Sequence, residues 1–195
     1  MINQKKIIAI ITARGGSKGL KNKNTMILDR HPLISWSIRE AKKSRYIDKL
    51  ILSTDNHEIM KIARDYDCEI PFKRPKNLSG DSIKTLDVVF HALEKIKEKF
   101  DYVLLLQPTS PLRTAHDIDS AINECISEKR PSCVSVCNFD KSAYWLVNVM
   151  QKSIIPFYEK KKLRRQKSPK IYFYNGAIYF SEISWLKKKQ DFIST

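Results

Sequence analysis

Residues 7–24 read Ile-Ile-Ala-Ile-Ile-Thr-Ala-Arg-Gly-Gly-Ser-Lys-Gly-Leu-Lys-Asn-Lys-Asn. An apolar run, Ile7 to Thr12, delivers the chain into a loop that holds Arg14, Gly15, Gly16, Ser17, Lys18, Gly19, Lys21, Lys23 and Asn24. Three of the chain's five glycines fall in this loop. Glycine lets a backbone turn tightly and lets its N–H groups come close to a ligand. Successive N–H groups in such a loop form a concave anion site, and the surrounding cations add point charges. A polyphosphate is the natural guest. The spacing is neither G-x-x-x-x-G-K-[ST] nor G-x-G-x-x-G, so the loop is not a standard P-loop or dinucleotide fingerprint.

The elements that must position this loop alternate between strand and helix, which predicts an α/β fold with a mostly parallel sheet. After the first strand, Pro32 opens a helix that runs to about Arg45, a favoured place for proline. Lys49 to Ser53 follows as a strand. Asn56 caps a helix whose Ile59, Ile62, Ala63 and Tyr66 form one apolar face. A short strand is expected around Cys68 to Phe72, and residues 84–99 repeat the helical pattern. Tyr102 to Leu106 is a continuous apolar strand suited to the centre of a parallel sheet. Thr114-Ala-His-Asp117 reads as a capping-box variant, with Ile118, Ala121, Ile122 and Cys125 turned inward. Cys133 to Cys137 is another strand. Residues 138–170 turn polar and irregular and carry the basic run Lys160 to Arg165. Ile171 to Phe180 returns as extended chain, broken at Asn175-Gly176.

The 195 residues suit one domain with a substantial core, and 42% hydrophobic content is that of a globular chain. No apolar stretch approaches the roughly 20 residues of a membrane span. The N-terminus lacks a signal-peptide pattern, so a cytoplasmic location is expected. Cys68, Cys125, Cys133 and Cys137 show no paired metal-ligand spacing and read as small buried hydrophobes in a reducing compartment. His31, His57, His91 and His116 show no ligand spacing either. The net charge of +15 favours anionic partners. Lysines are scattered over helix faces and no nucleic-acid-binding signature is present, so small anionic substrates are expected rather than nucleic acid.

The loop resembles the opening motif of the acylneuraminate cytidylyltransferases, which are sugar-activating nucleotidyltransferases. Six further blocks are similar to that family, in its order. They are Ser53-Thr54-Asp55; Arg74-Pro75 with Leu78-Ser79-Gly80-Asp81; Gln107-Pro108-Thr109-Ser110-Pro111-Leu112-Arg113; Val134-Ser135-Val136; Arg164-Arg165-Gln166; and Asn175-Gly176-Ala177-Ile178-Tyr179. The Gln-Pro-Thr-Ser-Pro-Leu-Arg block is the most specific, and Ser-Thr-Asp alone is weak.

The resemblance implies a Rossmann-like sheet of the nucleotide-diphospho-sugar transferase type, with helices on both faces. It implies a single domain, 1–195, in which residues 138–170 form an arm to the second subunit of a homodimer. The implied reaction is attack by the anomeric oxygen of an acidic nine-carbon sugar on the α-phosphorus of CTP, giving CMP-sugar and pyrophosphate. The sugar is sialic acid or a related nonulosonate such as pseudaminic or legionaminic acid. Such transfers depend on positioning and charge neutralisation rather than on a protein nucleophile, consistent with the absence of a Ser-His-Asp or Cys-His arrangement. Arg14 and Lys23 are then expected to face the triphosphate, with Gly15, Gly16, Ser17 and Asn24 around it and Arg74 on the nucleotide. Gln107 sits just beyond a strand's carboxyl end, where open α/β sheets bind ligands, and is expected to contact sugar. Arg165 and Asn175 are further sugar candidates. Arg113 is read either as a ligand for the sugar carboxylate or as a brace for its loop. Magnesium is expected for the family, with its acidic ligands in a segment beyond Thr195, so this chain offers none. A nucleotide-binding relative with little or no activity is the alternative reading.

Overall fold

The computed structural model describes residues 2, 4–16, 19–139, 146–150, 153–156 and 170–193. The chain divides into two compact units. One comprises residues 1–135 and 176–195, the other residues 136–175.

The first unit is organised by β1 (Ile7–Thr12), whose first five residues are fully buried. It lies between two parallel partners, β4 (Lys49–Ser53) and β5 (Tyr102–Leu106), in register Ile8↔Lys49 to Thr12↔Ser53 and Ile7↔Tyr102 to Ile11↔Leu106. Between β1 and β4 come a two-residue pair, β2 (Ile27–Leu28) and β3 (His31–Pro32), and helix α1 (Leu33–Lys43). Helix α2 (His57–Asp65), a 3-10 turn (Lys76–Leu78) and helix α3 (Thr85–Lys95) lead to β5, and α4 (Ala115–Ser127) follows it. Next come β6 (Ser132–Phe139), the strands β7 (Val147–Met150) and β8 (Ser153–Pro156), then β9 (Ile171–Glu182) and α5 (Ile183–Lys189). The sheet order is β4-β1-β5-β9-β6.

Both faces of the sheet are covered, which is why β1 is apolar at consecutive positions rather than at alternate ones. Ile7, Ala9 and Ile11 join Ile34, Ile38 and Ala41 of α1, Ile59 and Ala63 of α2, and Ile118 and Ile122 of α4. Ile8 and Ile10 join Val89 and Ala92 of α3 and Leu186 of α5. Each fully buried isoleucine contributes about 1.5–3 kcal/mol by leaving water. Among the described residues no helix is long and apolar enough to cross a membrane.

The local signals hold where they are local. Asn56 caps α2 by accepting the Ile59 N–H at 3.0 Å, and Thr114 and Asp117 form a reciprocal capping box on α4. The sheet is mostly parallel as expected, with β9 running antiparallel to β5, in register Tyr102↔Glu182 to Leu106↔Ile178. Three expectations are corrected. Around Cys68 to Phe72 there is no strand, only a single bridge between Glu69 and Ile51. Strand β9 is continuous; it passes Gly176 at φ +72° without ending. Cys68 and Cys125 are buried as expected, but Cys133 is half-buried and Cys137 exposed.

The second unit is less irregular than its composition suggests. Strands β7 and β8 pair antiparallel, Val147↔Pro156 to Met150↔Ser153. Phe139 and Phe173 meet edge to face with centroids 6.4 Å apart.

Candidate active site

The carboxyl ends of β1, β4 and β5 open at one edge of the sheet because the three strands are parallel. The chain first winds from β1 to β4 and then crosses to β5 on the other side of β1. That reversal is the topological switch point at which open α/β sheets bind ligands. A cavity of about 280 Å³ lies there. Thr12, Arg14, Lys23 and Asn24 line it from the β1 side, Arg74, Gly80 and Asp81 from the segment after β4, and Gln107, Pro108 and Thr109 from the end of β5. Arg14, Lys23, Asn24, Arg74 and Gln107, separated by up to 93 positions in sequence, thus share one cavity.

The walls are fixed by hydrogen bonds. Asn24 is 4% exposed, and its amide nitrogen donates to the Arg14 carbonyl at 3.1 Å. Its own carbonyl accepts the Ile34 N–H at 3.0 Å, and the Met26 carbonyl accepts that of Leu33 at 2.8 Å. Helix α1 has no side-chain cap, so these two carbonyls serve its first amides and tie the loop to its N-terminus. The Asn24 Oδ1 is buried with no partner among the described residues, leaving an acceptor on the cavity wall.

Asp55, from the Ser53-Thr54-Asp55 block, is an anchor to which the sequence assigned no role. Its Oδ1 accepts the Gly15 N–H at 3.1 Å and lies 3.5 Å from Arg74 Nη2. The glycine amides are therefore not all held for phosphate, since that of Gly15 is committed to Asp55. A Cβ at Gly15 would stand 2.6 Å from Asn56 Nδ2, so the contact with the start of α2 requires glycine. At Gly16 the space is open.

Arg74 is 4% exposed and donates from Nη2 to the Ala13 carbonyl at 2.8 Å. Its backbone N–H donates to the Thr54 carbonyl at 2.8 Å. Burial lowers its pKa, and the Asp55 carboxylate opposes that shift. Arg74 thus braces the ends of β1 and β4 while presenting a cation to the cavity. Arg14 is paired with Asp81, Nη2 to Oδ1 at 2.5 Å. Asp81 thus reaches across the cavity to the β1 loop.

Arg113 resolves as a brace. Its side chain is buried, and Nη1 donates to the Gln107 carbonyl at 3.2 Å and the Ala177 carbonyl at 2.6 Å. Nη2 donates to Ser37 Oγ at 2.7 Å. Burial pulls its pKa down to about 10, against smaller raising effects of Asp117 and Glu40. Asn175 belongs to the second unit, where its amide donates to Cys137 Sγ at 3.2 Å. Ser17 and Arg165 lie outside the described residues.

Magnesium is usually held through one or two carboxylates together with substrate phosphates. Among the described residues Asp81 is the one carboxylate lining this cavity, and it is paired with Arg14. No cluster of three or more His, Cys, Asp or Glu side chains is arranged for a metal among the described residues. The described residues lining the cavity do not by themselves assemble a magnesium site.

Comparison with known proteins adds an independent line. Residues 8–191 match the family model described as cytidylyltransferase. The chain is 32% identical over 194 residues to the pseudaminic acid cytidylyltransferase of Campylobacter jejuni, covering 96% of this chain and 83% of that one. It is 33% identical over 178 residues to the N-acylneuraminate cytidylyltransferase of Escherichia coli, covering 90% of this chain and 42% of the longer protein. Among solved structures, CMP:2-keto-3-deoxy-manno-octonic acid synthetase complexed with CTP superposes with a TM-score of 0.72 at 15% identity, covering 97% of this chain and 79% of that one. At that identity the likeness speaks for the fold.

Proposed function

We propose, for a chain that belongs to the cytidylyltransferase family, that it transfers CMP from CTP to the anomeric oxygen of an acidic nine-carbon sugar. The observation that carries this reading is the shared cavity at the β1/β5 switch point. On one side stand Arg14, Lys23 and Arg74, three cations beside a loop with open backbone at Gly16. On the other stands Gln107, a neutral donor and acceptor beyond β5. The first group suits a triphosphate and the second suits a hydroxylated sugar. The sugar is a nonulosonate; relatives acting on pseudaminic acid and on N-acylneuraminate are about equally similar, so the particular sugar is open to a substrate panel.

In the reaction the sugar's anomeric oxygen bonds to the α-phosphorus, the bond from that phosphorus to the bridging oxygen breaks, and pyrophosphate leaves with the electron pair. The chain's part is to hold both substrates in line and neutralise the phosphate oxygens. A guanidinium grips two oxygens at once, which suits Arg14 to the phosphates. Lys23 adds a compact charge. Gln107 is assigned to the sugar. We assign Arg165 and Asn175 to the sugar as well, and residues 138–170 to a homodimer contact.

The test is calorimetry and turnover with the purified chain. Arg14→Ala and Lys23→Ala should each weaken CTP binding by about 1.5–3 kcal/mol, the range for charged hydrogen bonds. Unchanged CTP affinity in both variants would remove the phosphate assignment. Turnover of CTP with a panel of acidic sugars, compared with GTP, tests the substrate class.

A further inference from the structure

Arg113 does not line the cavity, yet three of its hydrogen bonds end on groups that shape the cavity's sugar side. The Gln107 carbonyl receives Arg113 Nη1 at 3.2 Å and also the Ser37 hydroxyl at 3.4 Å. The same Nη1 reaches the Ala177 carbonyl at 2.6 Å, and Nη2 donates to Ser37 Oγ at 2.7 Å. Ser37 is 1% exposed, on α1. The guanidinium therefore ties together the exit of β5, the first helix and the chain next to Gly176.

Gly176 adds a second observation. It sits at φ +72°, where side chains are disfavoured, and a Cβ there would be 3.3 Å from Gln107 Oε1. The Gln107 side chain thus occupies a slot with one wall of bare backbone. That wall is the residue before Ala177, whose carbonyl Arg113 holds. We propose that Arg113 is a positioning residue which, through Ser37, Gln107 and Ala177, sets the direction of the Gln107 side chain and so the fit of the acidic sugar. This rests on the assignment of Gln107 to the sugar.

The planar fork suits the task. One nitrogen can serve two carbonyls while the other serves a hydroxyl, with fixed angles between them. A lysine at 113 reaches one acceptor and leaves the others unpaired. Misplacing a substrate-contacting group by about 1 Å can cost up to about a hundredfold in rate. The phosphate side is held separately, by Asp55, Asn24 and Arg74. Loss of Arg113 should therefore divide the two substrates.

Three variants of the full chain test this: Arg113→Met, Arg113→Lys and Ser37→Ala. In Arg113→Met, kcat/KM for the acidic sugar should fall by about ten- to a hundredfold, while the CTP dissociation constant stays within about twofold of wild type. Arg113→Lys should recover part of the loss, and Ser37→Ala should lose a smaller part. Amide hydrogen exchange supplies a readout that needs no turnover. Segments 107–112 and 176–178 should exchange faster in Arg113→Lys and Ser37→Ala, with β1 and residues 19–26 unchanged. Equal weakening of sugar and CTP, or protection lost evenly over the chain, would overturn the proposal, as would exchange unchanged in both segments. If wild type turns over none of the acidic sugars, the functional reading falls, and the exchange pattern still decides whether Arg113 positions Gln107.

Discussion

Arg14 meets a carboxylate before it meets any phosphate. Asp81 lies 2.5 Å from its guanidinium, with the two side chains 32% and 40% exposed. A triphosphate that takes Arg14 must displace that internal anion. A pair this exposed is worth at most about 1 kcal/mol after solvent screening. Asp81→Asn should therefore tighten CTP binding by up to about fivefold. Weaker binding measured by calorimetry would instead show that Asp81 helps to build the site. Asp55 behaves differently, because it holds the Gly15 N–H and faces Arg74 near the buried floor. Of these two acids, the sequence pointed to neither as a partner of the phosphate loop. Ser-Thr-Asp is a common tripeptide, and both contacts close over long sequence separations. That Arg14, Lys23, Asn24, Arg74 and Gln107 come together in one cavity was legible, because their residue types suit one chemistry.

Helix α3 shows how an element can carry a pH dependence. His91 packs edge-on against Phe72 with centroids 5.0 Å apart, and its Nδ1 is buried with no partner among the described residues. Burial lowers its pKa below the ordinary 6.5, and Lys95 and Arg74 add to the shift while Glu94 opposes it. The unfolded chain then takes up this proton at a higher pH than the folded chain does. Stability is lost as pH falls from the unfolded value toward the lower folded one. The drop in Tm between about pH 7 and pH 5.5 should be smaller in His91→Gln than in wild type. An equal drop in both would exclude His91 as the source. The elements themselves were legible where the signal lies within a few residues, as with Asn56 on α2 and the Thr114–Asp117 box on α4. They were not where the outcome depends on a distant partner. The direction of β9 is set by where the chain returns to β5, which no local pattern encodes. Residues 68–72 have strand-like composition but make only one bridge beside β4. Helix α5 was missed because its seven residues include three lysines and one buried side chain, Leu186.

At the scale of the whole molecule, charge and exposed apolar surface pull in opposite directions. The net charge is +15, so two copies repel at low ionic strength. In the second unit, consecutive β9 residues Tyr172, Phe173 and Tyr174 are 55%, 49% and 56% exposed. Neighbouring residues of a strand point to opposite faces, so this stretch leaves apolar surface open on both. Val136, Val147 and Ile155 of the same unit are also exposed. Exposed apolar surface of this kind can serve an interaction, and in the proposed homodimer a second copy of this chain would cover it. The two opposing effects predict a distinctive salt dependence. Screening weakens the repulsion between copies but leaves apolar burial intact. Dimerisation should therefore strengthen between about 50 and 300 mM salt, whereas CTP binding to the cationic cavity should weaken over the same range. Tyr172→Glu with Tyr174→Glu should shift the protein toward monomer without changing CTP affinity. Sedimentation velocity at micromolar concentration reads the first effect directly. A wild-type monomer at both salt concentrations would exclude the dimer, and a dimer that dissociates as salt rises would mean that ion pairs, rather than these aromatic side chains, hold the copies together.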